Sequence, residues 1–303
     1  MPKLSRKIEI PLWIIAFAAI VIAGRMVTTE DAPAPENEKA EDVANKTVRI
    51  GYVSWAEGIA MTHLVKVILE DRMGYDVDLT MADPAPIFTS LSERNLDFFL
   101  DAWLPLTHQS HMEKYGDVLV DLGTNYEGAR IGLVVPEYVP VNTIPEMGEN
   151  PGRFNGDITG IDSGAGIMEA TRKAIEQYNL DMNLLTSSGA AMTASLRDAI
   201  QSEEPIVVTG WKPHWKFARW DLKFLKDPKA AYGEKENIHT IARRGISKDL
   251  PRVVSFAKNF FLNDQQIGTL MDAMNQSESE AAAARKWMGE HEDLVESWIP
   301  ATG

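Results

Sequence analysis

The chain has 303 residues, with 30 Lys and Arg against 44 Asp and Glu, a formal net charge of −14, and no cysteine. Such an acidic balance lacks the basic face of a nucleic-acid binder, and most of the charge reads as solvated surface. The absence of cysteine excludes disulfides, thiolate chemistry, Cys-ligated zinc and a lipid-modified cysteine anchor.

The N-terminus carries an export signal. Lys3, Arg6 and Lys7 precede an apolar run from Ile10 to Gly24, broken by Pro11. A basic segment followed by an apolar one is the pattern of a secretory leader. The run is shorter than the roughly 20 residues of a comfortable membrane span. Residues 1–27 therefore read either as a cleaved signal peptide or as a short uncleaved anchor to the inner membrane. The basic residues stay on the cytoplasmic side, and the remainder of the chain is expected in the periplasm. Residues 28–46 are acidic, rich in Pro and Ala and aperiodic, which describes a disordered linker.

The folded part is expected over 47–303. Val48, Ile50 and Tyr52 alternate with Arg49 and Gly51 as a strand does. Met61, Leu64, Val65, Ile68 and Leu69 form a stripe at helical spacing within 59–73. Val77 and Leu79 mark a second strand, 84–94 a helix and 96–100 a third strand. This β-α-β-α-β order implies a parallel sheet covered by helices. A strong strand at 129–136 carries the chain to a second series, with a strand at 157–161, helices at 166–178 and 190–202, and a strand at 205–209. A second crossing strand is expected at 238–243. Asn263 with Gln266 forms a capping box before Ile267, and 279–290 is an amphipathic helix. The fold class is α/β: two lobes joined by two crossing strands, the first about 47–130 plus 244–303, the second about 131–243.

Four clusters fall where these strands end, the usual place for ligands in open α/β sheets. They are Trp55-Ala-Glu57, Asp101-Ala-Trp103-Leu-Pro-Leu-Thr-His108, Gly210-Trp211-Lys-Pro-His214-Trp215 and Gly160-Ile-Asp-Ser-Gly-Ala-Gly166-Ile167. Each has an ordinary structural reading: a Trp plugging the core, a satisfied His, two Trp packed on each other, a helix start. The last also offers free backbone N–H groups to an anion, while its glycine spacing does not fit the dinucleotide fingerprint. Their shared address, on two facing lobes, favours a ligand site. Tryptophan is the best aromatic partner for a cation without hydrogen-bond donors.

Several long motifs occur in one order: 101–108, 128–136, 160–168, Pro-Ile-Val-Val-Thr-Gly-Trp-Lys-Pro-His-Trp (205–215), 222–229 and 237–245. Over roughly 47–275 the chain resembles the glycine betaine/proline betaine substrate-binding proteins of ABC importers. The resemblance implies a type II periplasmic-binding-protein fold. It also implies a cage of Trp55, Trp103 and Trp211 around a trimethylammonium group. A clamp of His108 and the backbone N–H groups of Gly166 and Ile167 would hold the ligand carboxylate. It implies delivery to an ABC permease and its ATPase, with no catalytic step, cofactor or metal. Glu57 departs from the betaine pattern, because an acidic residue near the first tryptophan is a feature of choline-type relatives. Choline or carnitine is thus the alternative ligand. A rival of another class is an enzyme using His108, His214, Glu57 and Asp101 as acid–base groups. No nucleophile elbow, zinc motif or phosphate loop supports it.

Overall fold

A computed structural model describes residues 46–301. The expected leader at 1–27, and all but Lys46 of the expected linker at 28–46, lie outside the described residues. Among those described, no helix is long and apolar enough to cross a membrane.

The first sheet begins with β1 (Thr47–Tyr52), β2 (Asp76–Met81) and β3 (Phe98–Leu104), linked by α1 (Ala56–Asp71) and α2 (Pro84–Ser92). β1 pairs in parallel with β2 on one side and with β3 on the other. Helical crossovers between parallel neighbours give this arrangement. The stripe on α1 is buried as expected: Met61, Leu64, Ile68 and Leu69 are inaccessible. Val67, on the other side of the helix, is inaccessible as well. α1 is sandwiched between the sheet and two late helices, α10 (Asp264–Asn275) and α11 (Glu280–Glu290). The Asn263–Gln266 capping box opens α10, and the Ser279 side chain caps α11.

After α3 (Gln109–Tyr115) comes β4, which runs for 18 residues from Leu119 to Pro136. Only its second half was legible in the sequence. The first half is broken by register shifts between Asp121 and Ala129. Gly123 and Gly128 both have positive φ there, so alternation is lost although pairing continues. β4 belongs to both halves of one continuous ladder. Residues 119–129 pair with β9 (Glu236–Arg243) in the first sheet, and 130–134 pair with β7 (Val208–Lys212) in the second.

The second sheet adds β5 (Asp157–Thr159) and β6 (Asn183–Leu185) beyond β7, with β8 (Leu222–Phe224) on the opposite side of β4. Its helices are α4 (Ile144–Gly148), α5 (Gly166–Tyr178), α6 (Gly189–Gln201) and α7 (Lys216–Arg219). The chain returns through 225–235 to β9, which lies between β3 and β4, antiparallel to both. It ends with α8 (Ile246–Asp249), α9 (Pro251–Asn259), α10, α11 and α12 (Glu292–Trp298). This corrects the boundary expected for the second lobe: 236–243 belongs by its pairing to the first sheet, and the second lobe closes before it. Strand β6 and β8, three residues each, are too short to show a period.

Candidate functional site

Two of the three tryptophans do not lie in loops. β3 extends to Leu104 and β7 to Lys212, so Trp103 and Trp211 are strand residues. Gly210 sits within the β4–β7 ladder, where a Cβ would lie 2.3 Å from Val134 Cγ2. Asp101 is buried in β3 and accepts the Trp103 indole N–H at 2.8 Å. Residues two apart on a strand share a face, and this brings the carboxyl to its ring. Trp55 stands immediately before α1 as its N-cap residue.

A small cavity lies between the lobes, walled by Trp55, Glu57, Trp103, Thr107, Ile131, Ile161, Ala165, Gly166, Ile167 and Trp211. The first lobe supplies Trp55, Glu57, Trp103 and Thr107, and the second supplies Gly166, Ile167 and Trp211. Wider grooves open on both flanks, one sharing Trp55 and Trp211, the other Thr107, Ile131 and Gly166. The lobes touch at Gly166. A Cβ there would lie 2.5 Å from Thr107 Cγ2 and 2.7 Å from the Thr107 carbonyl oxygen. Thr107 is itself tied down by Glu236, which accepts the backbone N–H groups of Leu106 and Thr107 at 3.1 and 2.9 Å and the Thr107 hydroxyl.

One end of the cavity is aromatic and backed by carboxyls. The Trp211 indole N–H donates to Glu57 Oε2 at 2.8 Å. Glu57 is fully buried, and its Oε1 has no partner. Burial, then the neighbouring Asp101, pushes its pKa well above the usual carboxylate range, against the pull of the Trp211 hydrogen bond and of Lys216. Burial pushes Asp101 up to about 7, against the Trp103 hydrogen bond. Its Oδ2 is likewise unpartnered, beneath the first turn of α1, where a Cβ on Gly58 would come within 2.7 Å of it. Lys216 is buried, with Nζ 4.0 Å from the Trp211 ring centroid and no hydrogen-bond partner. Burial lowers its pKa to about 7, opposed by Glu57.

The other end offers donors. α5 starts at Gly166 without a side-chain cap, and no backbone carbonyl accepts the N–H groups of Gly166 and Ile167. Unpaired N–H groups and the helix dipole together favour an anion. His108 lies just behind the wall, stacked at 6.1 Å on the Trp55 ring. Its Nδ1 accepts the Trp103 backbone N–H at 2.9 Å. Burial, then His111, lowers its pKa to about 3. The ring is therefore neutral with its proton on Nε2, and that donor is unpartnered. His214 is half of a different arrangement: its Nδ1 accepts the Lys216 N–H at 3.1 Å and its ring packs edge-on against Trp211.

Sequence reasoning missed Thr107, Ile131, Ile161 and Ala165 in the wall. It also weighed Asp101 only as an acid–base group, whereas the structure makes it the acceptor of a cage indole. The i, i+2 spacing from Asp101 to Trp103 was the available signal.

The family model described as the substrate binding domain of ABC-type glycine betaine transport system matches residues 46–290. Over 162 residues the chain is 46% identical to the glycine betaine/carnitine transport binding protein GbuC of Listeria monocytogenes, covering 52% of this chain and 53% of that one. The match thus spans about half the length of that relative. Among solved structures, lactococcal OpuAC in its closed-liganded conformation with glycine betaine is 35% identical, with a TM-score of 0.80, over 84% of this chain and 100% of that one. The glycine/betaine/L-proline-binding protein ProX of Borrelia burgdorferi is also 35% identical, with a TM-score of 0.81, over 84% of this chain and 97% of that one.

Proposed function

The chain belongs to the family of substrate binding domains of ABC-type glycine betaine transport systems, and we propose that it captures glycine betaine, or a closely related quaternary ammonium solute, outside the cytoplasm and delivers it to an ABC permease. The observation that carries this reading is one small cavity with opposite ends. Three indoles, two of them with carboxyls on their N–H groups, make a negative aromatic pole. The free N–H groups at the start of α5 make a positive one. A trimethylammonium group has no donors, so dispersion and cation–π attraction must select it, at about 0.5–2 kcal/mol per ring. A carboxylate at the far end takes charge-assisted hydrogen bonds from Gly166 and Ile167, with His108 Nε2 as a further donor.

Capture is a binding event without covalent change. Glu57 and Asp101 each hold an indole, which leaves them in positioning roles rather than as an acid–base couple. Choline is disfavoured because it lacks the anionic end that the α5 terminus would meet, and because Glu57 Oε2 is engaged by Trp211. The export reading of the N-terminus places the folded part in the periplasm, free or tethered through 1–27.

Titration calorimetry of residues 46–303 with glycine betaine, proline betaine, carnitine and choline tests the proposal. Glycine betaine or proline betaine should bind in the micromolar range or tighter. Tighter binding of choline than of every carboxylate-bearing ligand would replace the reading, and no binding of any of the four would end it.

A further inference from the structure

Among the described residues, one hydrogen bond joins the two lobes directly. It is the one from the Trp211 indole N–H, on β7 of the second lobe, to Glu57 Oε2, in the first turn of α1 in the first lobe. No ion pair among the described residues crosses the cleft in the same way. Both partners also wall the cavity. The bond therefore exists only when the lobes are together, and it is made by a ring that the ligand would touch.

We propose that Glu57 is the latch of the closed state: a positioning residue that locks Trp211 over the ligand and thereby slows reopening of the cleft. The proposal rests on the betaine-capture reading. Three observations support it. First, an indole has a single donor, so the bond fixes the tilt of the ring as well as its place. Second, Lys216 from the second lobe lies 4.0 Å over the same ring and stays outside the cavity wall. The Trp211 side chain is thus held at its N–H by one lobe and over its face by the other. Third, the bond to Trp211 is the one side-chain hydrogen bond of the buried Glu57 carboxyl among the described residues, and its Oε1 has no partner. A carboxyl kept in an apolar wall with half its capacity unused costs stability. In the separated state Glu57 would stand in the open cleft, where water serves it equally well. The cost and the bond thus both belong to closure.

The latch differs from the choline-type feature that an acid near the first tryptophan suggests. It acts on the protein's own ring and applies to any ligand that closes the cleft.

The test uses four variants of the protein, with the parent measured first. Absence of betaine binding by the parent would remove the capture reading itself and leave the latch without its premise. Given parental binding, Glu57→Ala should weaken glycine betaine by about tenfold, the usual loss for a buried bond to a carboxyl. Stopped-flow fluorescence should place most of that loss in faster release. Glu57→Gln keeps an acceptor for the indole and should recover most of the affinity. In a Trp211→Phe background, which has no indole donor, Glu57→Ala should add less than about twofold. A nitrogen-15 spectrum of the indole groups gives an independent reading: one N–H resonance should move downfield on betaine addition in the parent and stay in Glu57→Ala. The melting temperature of the ligand-free protein should not fall in Glu57→Ala or Glu57→Gln. Unchanged release from Glu57→Ala, or an equal further loss in the Trp211→Phe background, would overturn the latch. So would a ligand-free melting temperature that falls in step with affinity, since Glu57 would then be part of the open protein's framework.

Discussion

Gly166→Ala is a sharp perturbation, because it adds one methyl group at a point where the lobes meet closely. The new Cβ would lie 2.5 Å from Thr107 Cγ2 and 2.7 Å from the Thr107 carbonyl oxygen. The methyl could rotate away, but the carbonyl belongs to a loop held by Glu236 through two backbone N–H groups and a hydroxyl. Relief must therefore come from the lobes standing apart by several tenths of an ångström. Overpacking of this kind costs about 1–3 kcal/mol. At about 1.4 kcal/mol per tenfold, betaine affinity should fall by about 5- to 150-fold. The cost falls on the closed state alone. Gly166 does not have a positive φ, so alanine fits its own backbone, and as a better helix former it leaves the separated lobes no less stable. Calorimetric titration measures the affinity, small-angle scattering the betaine-induced compaction, and thermal unfolding without ligand the framework. Reduced affinity with reduced compaction and an unchanged ligand-free melting temperature is the expected set. Parental affinity, or an affinity loss matched by ligand-free destabilisation, would refute the reasoning that this contact forms on closure.

Other outcomes follow from the same geometry. Alanine at Trp55, Trp103 or Trp211 should each weaken betaine binding at least about tenfold, with phenylalanine milder; parental affinity in two of three folded alanine variants would dissolve the cage. His108→Ala should weaken glycine betaine while leaving any choline binding nearly unchanged, since only a carboxylate meets the Nε2 donor; equal losses for both would mark His108 as a support for Trp55 and Trp103. Asp97→Asn should lower stability by about 3 kcal/mol, read from the denaturation midpoint, because the buried carboxylate accepts from Arg49 at 2.9 and 3.0 Å and from Arg243 at 2.6 Å. Burial alone would raise the Asp97 pKa, but the hydrogen bonds from Arg49 and Arg243 hold it below its ordinary value. Its contribution is therefore complete above the unfolded carboxyl pKa of about 3.9 and disappears as pH falls through the lower folded value. The parent should lose stability on acidification below about pH 4, and Asp97→Asn should show less of that acid dependence.

The parts of the molecule legible in the sequence are those governed by neighbours within a turn or two. The α1 stripe from Met61 to Leu69, the start of α5 at Gly166 and the Asn263–Gln266 cap are of this kind. The third strand was expected to end at 100 and runs to Leu104; the place of the buried Asp101 within it follows from an indole partner that lies two residues on. The start of β4 was hidden by its register shifts. The placement of Glu57 against Trp211 joins positions 154 apart, and no local pattern carries that information. The resemblance of the long motifs pointed to the three tryptophans, Gly166, Ile167 and His108. It did not tell which nitrogen of His108 carries the proton; that depends on the Trp103 backbone N–H.

The long strand β4 has a mechanical consequence. Ala129 completes the ladder with β9 by pairing with Glu236, and the next residue, Arg130, opens the ladder with β7 by pairing with Lys212. No slack residue separates the two ladders on β4. Rotation of one lobe against the other must be taken up as torsion at that junction, because a paired strand twists far more readily than it stretches. Ile131, one residue further, already lines the cavity, and its ladder partner is Trp211. The load thus sits beside the fulcrum while the lobe rims form the long arms. A given angle of opening moves the cavity walls little and the rims much. Tugging at the rims by a docked membrane partner would act through that leverage, so a modest force far from the ligand suffices to prise apart walls that thermal rocking of a few degrees leaves nearly in place.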